Sequence, residues 1–433
     1  MNKLAQPSNI PFTEPMPQTI YDAVVIGGGP GGSAAATYLS KAGKRVLIIE
    51  REHFPRFHIG ESLLPYNQKI FREMGVLPAL EAAGFPQKNG AQFHLGTGLK
   101  SIKMAFANGC FTMENQAIQV ERAKFDDILL KHARDSGTEV REGWTVTNFS
   151  RTNDSVEIEA QAEDGKKETF SAAFLIDASG RGNVTGNLEN LRVMNPRLKK
   201  LAVFAHFEGV KLDEGTKRGD TVIVRLDAMW FWIIPVSADK TSVGCVMDTN
   251  QFTKAKLSPE EIFHQIVNSS QAIRERMSNA HVVGEFHVTS DFSYYNRKIV
   301  GPRLLRVGDA AGFLDPIFST GVYLAMQSGK SAAENVLASL AAGDDGTNRF
   351  KKFERVVLRN LKFYEEMVMG FYTTPFMEVF MEPKDKFQLP AAVLAFLAGE
   401  TEGGWKLYWR RKLFFLLIKI QALHPFLPRI RNF

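Results

Sequence analysis

The chain has 433 residues, 44% hydrophobic and 23% charged, which is enough for two or three subdomains and too apolar for wholesale disorder. Two cysteines, Cys110 and Cys245, exclude a disulfide framework and a Cys-rich metal site, and fit a reducing cytoplasm. The net charge of +6 suits an anionic partner, whether nucleotide cofactor, acidic carrier protein or lipid surface; nucleic acid is disfavoured, since no dense basic tract or aromatic-basic platform is present.

Residues 1–20 are polar and Pro-rich, hold no apolar run of signal-peptide length, and read as a flexible lead. From Tyr21 the chain predicts a short apolar strand, a Gly-rich turn and an Ala-rich helix. Gly27, Gly29 and Gly32 hold the G-x-G-x-x-G spacing. The first permits a tight turn, the second lets a pyrophosphate approach the backbone, and the third lets helix and strand pack closely. A second predicted strand, Arg45 to Ile49, ends in Glu50, a carboxylate placed to accept hydrogen bonds from ribose hydroxyls.

Further along, Arg122 opens a predicted helix and adds a cation near the pyrophosphate. Ser155 to Ala162 alternates as a half-exposed strand, expected with Thr221–Leu226 and Thr241–Met247 in a substrate-side sheet. Phe174 to Asp177 closes another apolar strand. Leu304 to Val307 runs into Gly308, Asp309 and Ala310, where Asp309 is placed to hold ribityl hydroxyls. Strands returning from such distant segments to one crevice point to FAD rather than NAD. Helical patterns follow over Leu324–Leu340 and Asn348–Tyr372. The last, from Trp405 to Ile420, is basic at its start and aromatic-aliphatic after it. It reads as a flank packed on the body, with membrane contact or docking of an acidic carrier as the other reading. His53, His58 and His94 lack ligand spacing, so structural roles are expected and no metal site.

Four pieces of this chain together resemble the flavin-dependent halogenases, a branch of the para-hydroxybenzoate-hydroxylase-like flavoproteins. They are the Gly-rich fingerprint, Phe54 to Pro65, the run Trp230-Phe-Trp-Ile-Ile-Pro235, and Asp315 to Val322. The resemblance, from about Tyr21 to Lys330, implies that reduced FAD and oxygen convert a halide to hypohalous acid, which travels to a lysine beside the substrate. Lys88 stands at the family lysine's position. Thr320 and Gly321 amides would bind the halide, with Gly321 also touching the flavin, and Trp230, Trp232 and Pro235 would bar substrate from it. Phe318 replaces the glutamate of tryptophan halogenases, which disfavours indole and leans the substrate to a phenol or pyrrole, free or carrier-tethered. No second Gly-rich fingerprint is present, so a separate flavin reductase is implied.

The expected fold is α/β, a Rossmann-type FAD-binding domain over 21–345 with an inserted substrate-side sheet (about 85–120 and 190–300). A helical C-terminal region would occupy 346–433. The expected function is halogenation of an electron-rich aromatic in secondary metabolism. A reductase or dehydrogenase like the geranylgeranyl reductases and a non-halogenating monooxygenase remain alternatives.

Overall fold

The computed structural model describes residues 20–290, 293–401 and 403–430. Of the expected N-terminal lead, all but Ile20 lies outside the described residues. The backbone of Ile20 opens the first strand, Ile20–Ile26.

That strand lies inside an eight-stranded sheet. It pairs in parallel with Lys167–Asp177 on one side and Val46–Ile49 on the other. The parallel set continues outward to Glu139–Arg141 and Leu304–Arg306. The central strands are apolar where both faces are covered, as parallel sheets require, while the edge strand Glu139–Arg141 is charged and partly exposed. Ala23, Val25, Ile48 and Ile176 pack under the helices Pro30–Lys41 and Gly321–Ala342, and Val24, Leu47 and Leu175 pack on the opposite face.

The strand Val156–Ala162 alternates as expected, but it belongs to this first sheet. It pairs antiparallel with Lys167–Asp177 and with Trp144–Arg151. Alternation reveals a half-covered strand and is silent on which sheet accepts its hydrogen bonds.

The second large sheet has seven strands, in the order 281–290, 200–208, 241–248, 230–235, 221–225, 90–95, 101–105. Only the pair 221–225 with 90–95 is parallel. Residues alternate between two apolar faces. Phe231, Ile233, Val243 and Cys245 meet Ile262, Phe263 and Ile266 of the helix Pro259–Ser269. Trp230, Trp232, Ile234, Phe204 and Ile223 point the other way, towards a large aromatic cluster. That helix is started by a capping box, in which the Ser258 side chain accepts from the Glu261 amide and the Glu261 carboxylate accepts from the Ser258 amide.

The C-terminal third is helical: Gly321–Ala342, Phe350–Phe371, Thr374–Phe380, Leu389–Ala398 and Gly404–Leu423. Among the described residues no helix is long and apolar enough to cross a membrane.

Candidate functional site

A cavity of about 290 Å³ opens between the carboxyl ends of the parallel strands and the Trp-bearing face of the second sheet. A crevice beyond the carboxyl ends of parallel strands is where doubly wound sheets take their ligands. At the nucleotide end the Gly-rich turn forms the wall. Gly27 has φ +97°, and a Cβ there would stand 2.6 Å from the Ala178 carbonyl oxygen. A Cβ on Gly32 would lie 1.9 Å from the Gly27 carbonyl, so the helix sits on the turn only because residue 32 is glycine. Gly29 is the N-cap of the helix Pro30–Lys41, and nothing comes nearer than 3.7 Å to its would-be Cβ; the atom there is the Arg56 guanidinium. The amide dipoles of that helix and a guanidinium thus share one open space, which fits a pyrophosphate.

Glu50 is buried in the cavity wall, and its carboxylate accepts from the amides of Gly28 (2.6 Å) and Glu52 (2.9 Å). Its outer lone pairs remain for ribose hydroxyls. Arg122 also lines the cavity, but its charge is already engaged. Its Nε and Nη2 bind both oxygens of buried Asp126 at 2.8 Å, and Nη1 donates to the Ile59 carbonyl at 2.7 Å. Asp126 stands one helical turn after Arg122, and Arg56 shares it at 2.9 Å. Arg122 therefore fixes the 59–60 turn as well as facing the cavity.

Asp309 lines the cavity, and burial pushes its carboxyl up to about 6, with Arg181 and Arg122 pulling the other way. Such a desolvated carboxyl gains most from hydroxyl donors. Ala310 is fully buried behind it, and its carbonyl accepts from Asn296 at 2.8 Å, so it supports the wall rather than forming it.

At the far end the chain turns through Ser319, in the left-handed region at φ +56°, into Thr320 in the right-handed helical region. Consecutive residues of opposite hand make a concave nest of backbone N–H groups. The Ser319 amide is used by Pro316, while Thr320 and Gly321 open the 22-residue helix Gly321–Ala342 and line the cavity. The first amides of a helix have no partner within it. Phe318 is buried just before this turn, edge-on to Phe371 at 5.9 Å.

Trp230 and Trp232 share one face of their strand, with ring centroids 5.8 Å apart, and both line the cavity. Pro235 is buried at the strand's end, paired with Thr241, and is not part of the cavity wall. Each indole N–H is satisfied: Trp232 donates to Ser242 Oγ (3.0 Å) and Trp230 to the Tyr372 hydroxyl (2.9 Å). Tyr372 in turn donates to Asp315 at 2.9 Å. Burial raises Asp315 to about 6, with that hydrogen bond opposing. The Trp wall is thereby tied to the segment that begins the nest.

Lys88 is not in a loop. It lies in the short strand Gln87–Lys88, paired with Ala117–Ile118, and is 2% exposed. Its ammonium donates to Ser62 Oγ (2.8 Å) and to the Leu63 carbonyl (2.9 Å), and sits 5.6 Å from the Phe106 ring centre. Lys88 is not itself in the cavity wall. Ser62 and Thr221 are, their hydroxyls 2.8 Å apart, and Gln119 donates to Thr221 at 2.9 Å. A hydroxyl layer thus separates the flavin-side space from the lysine. Burial lowers the ammonium to about 7, with Asp220 opposing.

Sequence reading assigned no part to Arg56, Glu61, Ser62, Arg181 or Thr221, all of which line the cavity. Glu61 meets His206 Nε2 at 2.5 Å through one oxygen, and its other oxygen has no partner among the described residues. Glu61 and Ser62 lie within the Phe54–Pro65 segment, so their position was visible and their direction was not. Of the histidines, His58 lines the cavity; burial holds it down to about 3, so it stays neutral.

Residues 20–357 match the family model described as an FAD binding domain. The chain is 30% identical over 410 residues to the 1H-pyrrole-2-carbonyl-[peptidyl-carrier protein] chlorinase of Pseudomonas fluorescens, covering 89% of this chain and 91% of that one. In structure it is similar to a flavoprotein/dehydrogenase from Cytophaga hutchinsonii (TM-score 0.86, 29% identity, 94% and 99% of the two chains). It is also similar to the flavin-dependent brominase Bmp2 (TM-score 0.82, 29% identity, 93% and 100%). With the cradle, the cavity and these relatives in agreement, the chain belongs to the flavin-dependent halogenases, FAD-binding oxidoreductases that halogenate aromatic rings.

Proposed function

We propose that this enzyme halogenates a phenolic or pyrrolic ring, free or tethered to a carrier protein, with Lys88 as the residue that delivers the halogen. The observation that carries this reading is a lysine buried in an apolar setting, one hydroxyl away from the flavin-side cavity, and lowered to about 7. When bound, reduced FAD supplies with dioxygen the oxidising equivalent that turns a halide into hypohalous acid.

The protein's own residues do the rest. With the cofactor in place, Glu50 and Asp309 would accept its hydroxyls, and the helix behind Gly29 would face its phosphates beside Arg56 and Arg122, which share Asp126, Arg56 being paired with Glu52 as well. Thr320 and Gly321 hold the halide in their nest, which favours an anion without burying a second full charge. Trp230 and Trp232 wall the sheet side and keep the ring from the flavin. Ser62 and Thr221 pass hypohalous acid by hydrogen bonds to Lys88.

Near neutral pH a substantial share of Lys88 is the free amine. Its nitrogen lone pair takes the halogen of the acid, the O–halogen bond breaks, and the amine proton leaves with hydroxide as water. The haloamine then gives its halogen to a ring carbon, the ring proton is lost, and the amine is restored. An electron-rich ring is needed because nothing at Phe318 supplies a carboxylate to activate a poorer one. The carrier-tethered substrate named for the Pseudomonas fluorescens relative supports a tethered pyrrole for this chain.

The single Gly-rich fingerprint supports reduction of FAD by a separate flavin reductase. Purified protein with FAD, such a reductase, NADH, chloride or bromide and a panel of phenols and pyrrolyl-carrier substrates tests this by mass spectrometry. Halogenated product that disappears in Lys88→Ala is the expected result. Turnover independent of halide would instead favour a dehydrogenase, the reading that the Cytophaga hutchinsonii neighbour supports.

A further inference from the structure

The helix Gly404–Leu423 has 20 residues, so it runs about 30 Å at 1.5 Å per residue. One edge is anchored. Leu407, Phe414 and Gln421, seven residues apart, are buried against the helices Thr374–Phe380 and Leu389–Ala398. Gln421 locks this edge through its amide, donating to buried Glu378 at 2.7 Å and accepting from the Phe426 and Leu427 amides at 2.9 and 3.0 Å.

The opposite edge is uncovered. Trp405 is 74% exposed and Leu423 75%, with Tyr408, Leu416, Ile420 and then Phe426 exposed between and beyond them. Their spacing of three and four residues, with Lys412 in the middle, makes one continuous stripe. Isolated exposed apolar side chains are ordinary, whereas an aligned row along a whole helix marks a contact surface. The helix also carries Lys406, Arg410, Arg411, Lys412 and Lys419 and no Asp or Glu. Phe387, 64% exposed, extends the stripe at the Trp405 end; its ring lies 6.2 Å from that of Trp409, and its carbonyl accepts from Arg410 at 2.8 Å.

We infer that this edge is an interfacial face that lies on an anionic phospholipid surface. The placement of charge favours lipid over a protein partner. The exposed cations, Lys406, Lys412 and Lys419, are spaced along the helix, which matches a plane of headgroups better than a compact acidic patch. Arg410 and Arg411 are spent on the body, over Phe111 and Phe363, so the three exposed lysines carry the electrostatic contact, and Trp and Tyr suit the headgroup level. The face is also close to the chemistry. The underlying helix Leu389–Ala398 packs on Phe106–Asn108, and Phe106 is the ring beside the Lys88 ammonium.

Co-sedimentation of the FAD-loaded full chain with vesicles tests this. Binding to equimolar phosphatidylcholine–phosphatidylglycerol vesicles should exceed binding to pure phosphatidylcholine at least tenfold, and should weaken with salt. Leu416→Glu with Leu423→Glu, at exposed positions that leave the anchored edge intact, should abolish it, with the flavin spectrum and melting temperature unchanged. Emission of Trp405 should shift blue on binding, a shift missing in Trp405→Phe. Binding to anionic vesicles that is no stronger than to neutral ones, or that survives the double substitution, overturns the inference. So does lipid-free self-association removed by Leu423→Glu, which would make the stripe a dimer face. Preferential binding of an acidic carrier protein, with no vesicle binding, overturns it as well.

Discussion

Replacing Lys88 by Met removes a buried ammonium, and the consequence for stability depends on pH in a way that reports its ionisation. The lysine falls from an ordinary 10.5 to about 7 because of burial. With the folded value below the unfolded one, the unfolded chain holds more protons between those limits, so stability contributed by this group rises with pH across that window. At about 1.4 kcal/mol per unit, folding around Lys88 costs roughly 4 kcal/mol at pH 7 and about 2 kcal/mol at pH 9. Lys88→Met escapes that cost but strips Ser62 Oγ and the Leu63 carbonyl of their donor, an offset of about 1–3 kcal/mol that does not titrate. The absolute difference between the two proteins is therefore small, while its change with pH is not. Urea unfolding of both, at pH 7 and pH 9, should show the parent gaining about 2 kcal/mol on the variant. A difference that stays flat would mean that the ammonium keeps its ordinary affinity for protons, and the haloamine route through a neutral amine would fall with it.

Three further substitutions probe the cofactor cradle and the Trp wall. Glu50→Ala removes the acceptor of the Gly28 and Glu52 amides, so FAD affinity, read by quenching of flavin fluorescence, should drop by about 2 kcal/mol, more than tenfold. Unchanged affinity would remove Glu50 from the site. Gly32→Ala places a methyl 1.9 Å from the Gly27 carbonyl, and should give protein without bound flavin, whereas Gly43→Ala, strained at φ +74° but with nothing within 4 Å of the new Cβ, should lose stability and still bind flavin. Tyr372→Phe takes a hydrogen bond from Asp315 and leaves the Trp230 indole N–H unpaired, at about 1–3 kcal/mol of stability. Because that bond holds the Asp315 carboxyl down, its loss raises the folded value further above the ordinary one, so the variant's stability deficit in urea unfolding should be larger at pH 8 than at pH 5; an equal deficit at both would mean that the bond does not act on Asp315.

The amino-acid order alone determined the nucleotide half of this protein. Gly27, Gly29 and Gly32 declare themselves because only glycine survives where the turn, the helix and a phosphate meet, and Glu50 follows at a strand end whose apolar run marks it. The two Trp of 230–235 were likewise legible as one face of a strand, since side chains alternate with a period of two. Tertiary structure decided which sheet accepted Val156–Ala162, because alternation is the same in either. It also decided the state of Lys88, whose neighbours Ser62, Leu63, Phe106 and Asp220 arrive from remote segments and set its desolvation. The same holds for Arg122, whose partner Asp126 is only one helical turn away yet binds it through geometry that spacing merely allows. Burial and the direction of a side chain are properties of packing, and packing is a sum over the whole chain.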